Sequence, residues 1–134
     1  MTLIIVPLYA GICALIYAIL TIRTILGRFK HKISLGHGSN SAFERVVRAH
    51  GNFSEYAPLI LFLLALLELR NMPPYFLHTA GIILVFSRSA HAFGITKGKN
   101  ENIFRPLGMV PTIGLLVVTG LINIYLYVGT LLTT

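Results

Sequence analysis

The residues of this sequence that could do chemistry are concentrated between positions 45 and 56. If this stretch is helical, a turn of about 100° per residue places them within an arc of about 100°. They are Arg45, Arg48, Asn52, Glu55 and Tyr56. Arginine forks match carboxylates bidentately, and a glutamate can hold an ammonium group. The face therefore predicts a site for a peptide-like ligand with two carboxylates and a free amine.

Other polar residues lie outside this face. His50 points about 160° away from Asn52 and faces a different neighbour, either as a structural hydrogen-bonding histidine or toward another subunit. Arg88 and His91 share a helix face through their i, i+3 spacing. Arg105 lies at the start of the fourth apolar stretch. Its position alone favours an arginine that only sets the membrane orientation of the chain.

The composition indicates that lipid surrounds these residues. The chain has 134 residues, of which 55% are hydrophobic and 11% are charged, against about 25% charged in soluble domains. Four stretches are long and apolar enough to cross about 30 Å of hydrocarbon. We predict one all-α integral membrane domain over residues 1–134, with helices at residues 3–26, 43–70, 75–95 and 103–132. The first stretch is interpreted as a span, not a cleavable signal peptide.

The distribution of Lys and Arg predicts the orientation. The first loop and its flanks hold Arg23, Arg28, Lys30, Lys32, Arg45 and Arg48; the third holds Arg88, Lys97, Lys99 and Arg105; the second holds Arg70 alone. The positive-inside rule then places loops one and three in the cytoplasm and both termini outside. The net charge of +7 is accordingly interpreted as topology and lipid headgroup contact, not as a nucleic-acid interface.

Two local contacts are also predicted. A rise of about 1.5 Å per residue places Glu55 and Arg88 at equal depth, each about 20 Å from the outer end of its helix. Ionisable groups at such depth usually pair inside the bundle, so the two are predicted to interact, either within a site or as a structural ion pair. Ser41, followed three residues later by Glu44, predicts a capping box at the start of the second helix.

Residues 44–58 read ERVVRAHGNFSEYAP and resemble the signature of the MAPEG family, membrane-associated proteins of eicosanoid and glutathione metabolism. Every fixed position of the family pattern E-R-x-x-R-A-x-x-N-x-x-E-x-x-P is present. Arg88 and His91 resemble the R-x-x-H pattern of the family's third helix, and residues 105–109, RPLGM, resemble its catalytic-arginine segment. The resemblance covers essentially the whole chain, and its short loops resemble the bacterial branch, which implies an inner-membrane location.

The resemblance implies a homotrimer of four-helix subunits that binds glutathione between subunits on the cytoplasmic side. It implies that Arg105 stabilises the glutathione thiolate. The residues it places in the glutathione site are Arg48, Asn52, Glu55, Tyr56, Arg88 and His91. Arg23 resembles an arginine supplied by the adjacent subunit, and His50 stands at a His-or-Gln position that also faces that subunit. The sequence departs from several members at Ile95, where they carry a tyrosine near the tripeptide.

The activity so implied is glutathione transfer to lipophilic electrophiles that arrive from the bilayer, with reduction of lipid hydroperoxides as a side activity. Glutathione would be the co-substrate, and no metal is predicted. One alternative is a non-catalytic lipid- or glutathione-binding membrane protein of the same fold. Another is a transporter or channel subunit, which would carry polar residues through the full depth of several helices. The joint presence of Arg48, Glu55 and Arg105 favours the enzyme.

Overall fold

Four long helices make up most of the described chain. The computed structural model describes residues 2–97 and 102–132, and these residues contain no strand. The helices are α1 (Val6–His31), α2 (Ser41–Leu69), α3 (Pro74–Thr96) and α4 (Phe104–Leu131). The predicted all-α class is confirmed. Lys99, which was counted in the third loop, lies outside the described residues.

Helix α1 departs most from its predicted range of residues 3–26. It begins at Val6 and continues to His31, so that Arg28 and Lys30 lie on the helix and not in the first loop. It stops at Lys32, whose left-handed backbone (φ 54°) ends the helical hydrogen bonding. The extension is favourable because basic side chains interact well with the negative end of the helix dipole.

The predicted capping box at the start of α2 is wrong. The cap is Asn40, whose side-chain oxygen accepts hydrogen bonds from the backbone N–H groups of Ala42 (3.1 Å) and Phe43 (3.0 Å). Ser41 is already the first helical residue, and the Glu44 N–H donates to the Asn40 carbonyl at 2.8 Å. Asparagine is as good an N-cap as serine, and its position one residue earlier determines where the helix starts.

Helices α2 and α3 form the centre of the bundle. Each contacts the other three helices, whereas α1 and α4 do not contact each other within the described residues. The core between them is aliphatic and includes Ile60, Leu64, Leu67, Leu77 and Leu84, none of which is more than 1% exposed. Large apolar side chains also cover the outer surface. Such a surface suits lipid, because it needs no water to solvate it.

Three helices of the described chain, α1, α2 and α4, are long and apolar enough to cross a membrane, judged by length and composition. Helix α3 does not reach that apolarity, since it carries Ser87, Arg88 and His91, all of which are buried against neighbouring helices. With 23 residues it is about 35 Å long, enough to run beside the others. Helix α3 is therefore the polar member of the membrane bundle.

Glu68 ties the end of α2 to the start of α1. Its carboxylate accepts hydrogen bonds from the backbone N–H groups of Ile4 (2.8 Å), Ile5 (2.6 Å) and Val6 (2.8 Å). These N–H groups lie at a helix start, where the first turn has no partner within its own helix. A carboxylate there also interacts favourably with the positive end of the helix dipole.

We expect Glu68→Ala to destabilise the protein by about 1–2 kcal/mol, because it removes the acceptor that caps α1. The thermal unfolding midpoint of the purified protein in detergent measures the effect. Glu44→Ala is the matched control, since Glu44 lies on the same helix with its side chain 48% exposed. Equal midpoints for the two variants would show that Glu68 does not cap α1.

Candidate functional site

The polar face of α2 is open on the surface of the single subunit. Arg48 and Glu55 are two turns apart on this face, and their side chains approach to 3.9 Å between Nη1 and Oε1. The Arg48 side chain is 62% exposed and that of Glu55 is 50% exposed. The pair thus presents a cation and an anion side by side, both accessible to a ligand or to another subunit.

Asn52 lies between these two charges along the helix and is buried. Its side-chain oxygen makes no hydrogen bond within the described chain, and neither does the buried Nε of Arg45. A buried polar atom without a partner costs about 1–3 kcal/mol. The arrangement therefore favours a further polar group at this face.

Arg88 lies beneath the face, on α3. It is only 1% exposed, and its guanidinium carbon lies 5.4 Å from the centre of the Tyr56 ring. Its Nε and Nη1 make no hydrogen bond within the described chain. Stacking on a ring stabilises the guanidinium charge when water is excluded.

Glu55 and Arg88, which were predicted to interact, do not form a direct ion pair in the described structure. Arg88 reaches Tyr56, the residue next to Glu55, which agrees with the predicted equal depth. The two groups interact electrostatically, but no direct ion pair joins them, and the ion-pair partner of Glu55 is Arg48. The reason is helical geometry: consecutive residues point about 100° apart, so Tyr56 faces α3 while Glu55 faces outward.

Arg105 lies in the first turn of α4, beside the end of α3. Its side chain is exposed and makes no hydrogen bond or ion pair within the described residues. Its backbone carbonyl accepts a hydrogen bond from Nδ1 of His91 at 2.9 Å. The guanidinium is thus available to a ligand, while the main chain that carries it is held against α3.

The chain matches a known protein family over most of its length. The model of the MAPEG family matches residues 6–125 of the chain. The chain belongs to the MAPEG family. It is similar to the inner membrane protein YecN of Escherichia coli strain K12, with 29% identity over 87 residues, which cover 65% of this chain and 66% of that protein. The protein of the same name from E. coli O6:H1 (strain CFT073) matches equally well.

These relatives place the chain among bacterial inner membrane proteins. The aligned residues span about two thirds of the length of the relatives. The names of these relatives describe a location and no reaction. The predicted MAPEG membership is confirmed, and the orientation of the loops stays a prediction.

Asn102 lies three residues before Arg105 and was not singled out from the sequence. Its side-chain nitrogen donates to the Gly94 carbonyl at 3.1 Å, and its side-chain oxygen accepts from the Phe104 N–H at 2.9 Å. An asparagine just before a helix start is a capping residue type, which was the available signal. Asn102 thus joins the end of α3 to the start of α4, next to Arg105.

Within the described residues, His50 contacts its own chain. Its Nε2 is hydrogen-bonded to Oγ1 of Thr21 at 3.1 Å, and its ring stacks on Tyr17 at 4.7 Å between centroids. Both partners belong to α1 of the same chain. These contacts agree with the structural alternative, and a contact of His50 with a neighbouring subunit stays a prediction.

Arg23 lies on the exposed surface of α1 and makes no hydrogen bond or ion pair to the polar face within the described residues. A single subunit therefore does not bring it to the site, and its assignment to a neighbouring subunit's site stays a prediction. Ile95 is half-buried and packs against the aliphatic core. Where several MAPEG members carry a tyrosine, this chain therefore has an apolar side chain that packs in the core and no hydroxyl group.

Proposed function

We propose that this MAPEG protein is a membrane-bound glutathione transferase that acts as a homotrimer. The observation that carries the proposal is the open face of α2, where Arg48 and Glu55 lie 3.9 Å apart beside the buried Asn52. These are the residues through which the family signature implies glutathione binding. Arg105 supplies a fourth polar group, from α4, with an unengaged guanidinium.

The oligomer is supported by the exposure of charge on a membrane-spanning helix. Half-exposed arginine and glutamate side chains on α2 are poorly solvated by lipid, and such residues normally face a protein interior or an aqueous cavity. A second copy that packs on this face would enclose the charges and complete the site. Within residues 2–97 and 102–132, α1 and α4 do not contact each other, so a substrate slot between these two helices would form where copies meet.

Two charged groups of the tripeptide find chemically matched side chains on this face. Arg48 can bind a carboxylate through two parallel hydrogen bonds. Glu55 can hold the α-ammonium group. Arg88 is enclosed in the subunit and acts through Tyr56, whose ring it supports from below.

The chemistry requires a thiolate, and Arg105 is the group that favours it. A free thiol has a pKa of about 8.5, so only a few per cent is ionised at neutral pH. A guanidinium beside the sulfur stabilises the thiolate, which is the nucleophile. The sulfur then attacks an electrophilic carbon, a carbon–sulfur bond forms, and a leaving group such as chloride departs with the bonding electrons.

The lipophilic substrate can approach along α4. An apolar groove of about 320 Å³ between α3 and α4 is lined by Ala80, Ile83, Pro111 and Gly114, among others. Pro111 is six residues beyond Arg105, which corresponds to about 9 Å along the helix. An aryl or acyl group at the Pro111 end of this groove would lie closest to the proposed thiolate while remaining within hydrocarbon.

The direct test uses the full-length protein purified in detergent. Added glutathione should produce the ultraviolet absorbance of a thiolate at neutral pH, and an aryl halide should be converted to its glutathione conjugate. Binding without a thiolate signal and without conjugation would favour the non-catalytic alternative. No affinity for glutathione at millimolar concentration would refute both the transferase and the glutathione-binding alternative.

We expect Glu55→Gln to weaken glutathione binding about tenfold, since a hydrogen bond to a charged group contributes about 1.5–3 kcal/mol. The amide keeps the shape of the side chain but loses the charge that attracts the ammonium group. Isothermal titration in detergent measures the affinity. Glu44→Gln, an exposed carboxylate near the start of the same helix, should bind as the wild type does. Equal affinity in the two variants would exclude the ammonium contact.

A further inference from the structure

The start of α4 is attached to the end of α3 through two polar side chains. Nδ1 of His91 donates to the Arg105 carbonyl at 2.9 Å. Asn102 donates to the Gly94 carbonyl at 3.1 Å and accepts from the Phe104 N–H at 2.9 Å. Both contacts end on the main chain that immediately surrounds Arg105.

Close backbone packing accompanies these hydrogen bonds. A Cβ atom at Gly94 would lie 2.8 Å from the Arg105 backbone nitrogen. The first turn of α4 therefore packs closely against the α3 main chain at Gly94. At such a distance the two helices cannot slide or rotate past one another without losing the His91 and Asn102 contacts.

His91 can make this contact in only one way. A carbonyl oxygen has no hydrogen to donate, so Nδ1 must carry the proton and donate it. The ring is buried, which limits its rotation. Its orientation is therefore set by the Arg105 carbonyl and not by a ligand.

We propose that His91 and Asn102 are positioning residues that hold the Arg105 main chain, so that the guanidinium points at the substrate sulfur. The proposal rests on the proposed function, in which Arg105 stabilises the thiolate. It assigns His91 to Arg105 and not to direct contact with the tripeptide. A misplacement of about 1 Å at a reacting group can reduce a rate about 100-fold, so a clamp of this kind has a large effect on turnover.

The test compares three variants of the full-length protein. His91→Phe keeps the ring and removes the donor, whereas His91→Asn retains an N–H close to the place of Nδ1. Ser87→Ala is the matched control: one turn earlier on α3, it loses the hydrogen bond from Thr112 of α4 (3.1 Å) but does not touch the Arg105 main chain.

We expect His91→Phe to lower kcat about 10- to 100-fold, with the KM for glutathione changed less than about threefold. His91→Asn should recover most of the lost kcat, and Ser87→Ala should keep it. If His91→Phe raised only the KM for glutathione, His91 would be a ligand contact and the proposal would fail. If Ser87→Ala lost as much kcat as His91→Phe, the effect would come from helix packing in general, and the proposal would also fail.

Hydrogen–deuterium exchange tests the clamp without reference to activity. The backbone amides of Arg105, Leu107 and Gly108 should exchange faster in His91→Phe than in wild type, and should be unchanged in Ser87→Ala. If His91→Phe does not fold, Asn102→Ala removes the other attachment and should speed exchange in the same residues. A wild-type protein without transferase activity would refute the proposed function, whereas unchanged exchange would refute the clamp.

Discussion

Replacement of Arg105 by alanine is expected to lower kcat with an aryl halide by about 10²–10³, while the KM for glutathione changes less than about threefold. The magnitude follows from the charge at sulfur: two units of thiol pKa correspond to about 2.7 kcal/mol, or about 100-fold. Because the guanidinium is exposed and has no partner within the described residues, its loss should not disturb the fold. The effect should therefore appear in turnover and not in stability.

Two further variants make this result specific. Arg105→Lys keeps the charge but loses the planar fork, and we expect an intermediate kcat. Lys97→Ala is the control for general electrostatics, because Lys97 is an exposed cation at the same end of α3, 4.9 Å above the Phe93 ring. Its kcat should match that of the wild type. Unchanged turnover in Arg105→Ala, or a thiolate absorbance equal to that of the wild type, would exclude the assigned role.

The polar face of α2 could be predicted from the sequence because it depends only on helical periodicity. Arg48, Asn52 and Glu55 recur at spacings of four and three residues, so any straight helix brings them to one side. Their separate environments could not be predicted. Asn52 is buried while its two neighbours on the face are half-exposed, and that difference depends on which helix packs against which edge.

The contacts between helices could not be predicted from the sequence either, because they too depend on how the helices pack. Depth along a helix can be counted at about 1.5 Å per residue, which correctly placed Glu55 and Arg88 at one level. Which side chains meet depends on how the helices pack. Glu55 pairs with Arg48 on its own helix, and Arg88 of α3 lies over the Tyr56 ring. The capping of α1 by Glu68 joins residues 62 or more positions apart and has no local signal.

The end of α3 shows how packing and chemistry depend on each other in this protein. His91 was singled out because an arginine and a histidine share a helix face, and it was assigned to the ligand. The structure engages its Nδ1 with the α4 main chain. A pattern of residue types can thus predict which residues share a helix face, but not which atoms of the neighbouring helix they contact.

The close contact between α3 and α4 predicts a large loss of stability in Gly108→Ala. A Cβ at Gly108 would overlap the Ser87 carbonyl oxygen and would lie 2.6 Å from the His91 backbone nitrogen. Both are main-chain atoms of a packed helix and cannot turn aside, so the helices must separate. Overpacking of this kind costs about 1–3 kcal/mol. Separation would also lengthen the hydrogen bond from Thr112 to Ser87, which is 3.1 Å.

The thermal unfolding midpoint in detergent measures this effect, and α4 provides its own control. Gly114→Ala makes the same substitution six residues later on α4, where an added Cβ would meet nothing within 4 Å. Its midpoint should equal or slightly exceed that of the wild type, since alanine favours a helix by about 1 kcal/mol over glycine. Gly108→Ala should unfold several degrees lower, and its residual folded fraction should show reduced kcat because the His91–Arg105 contact is strained. Equal midpoints in the two variants would mean that α3 and α4 are not in backbone contact, and Arg105 would then need another means of support.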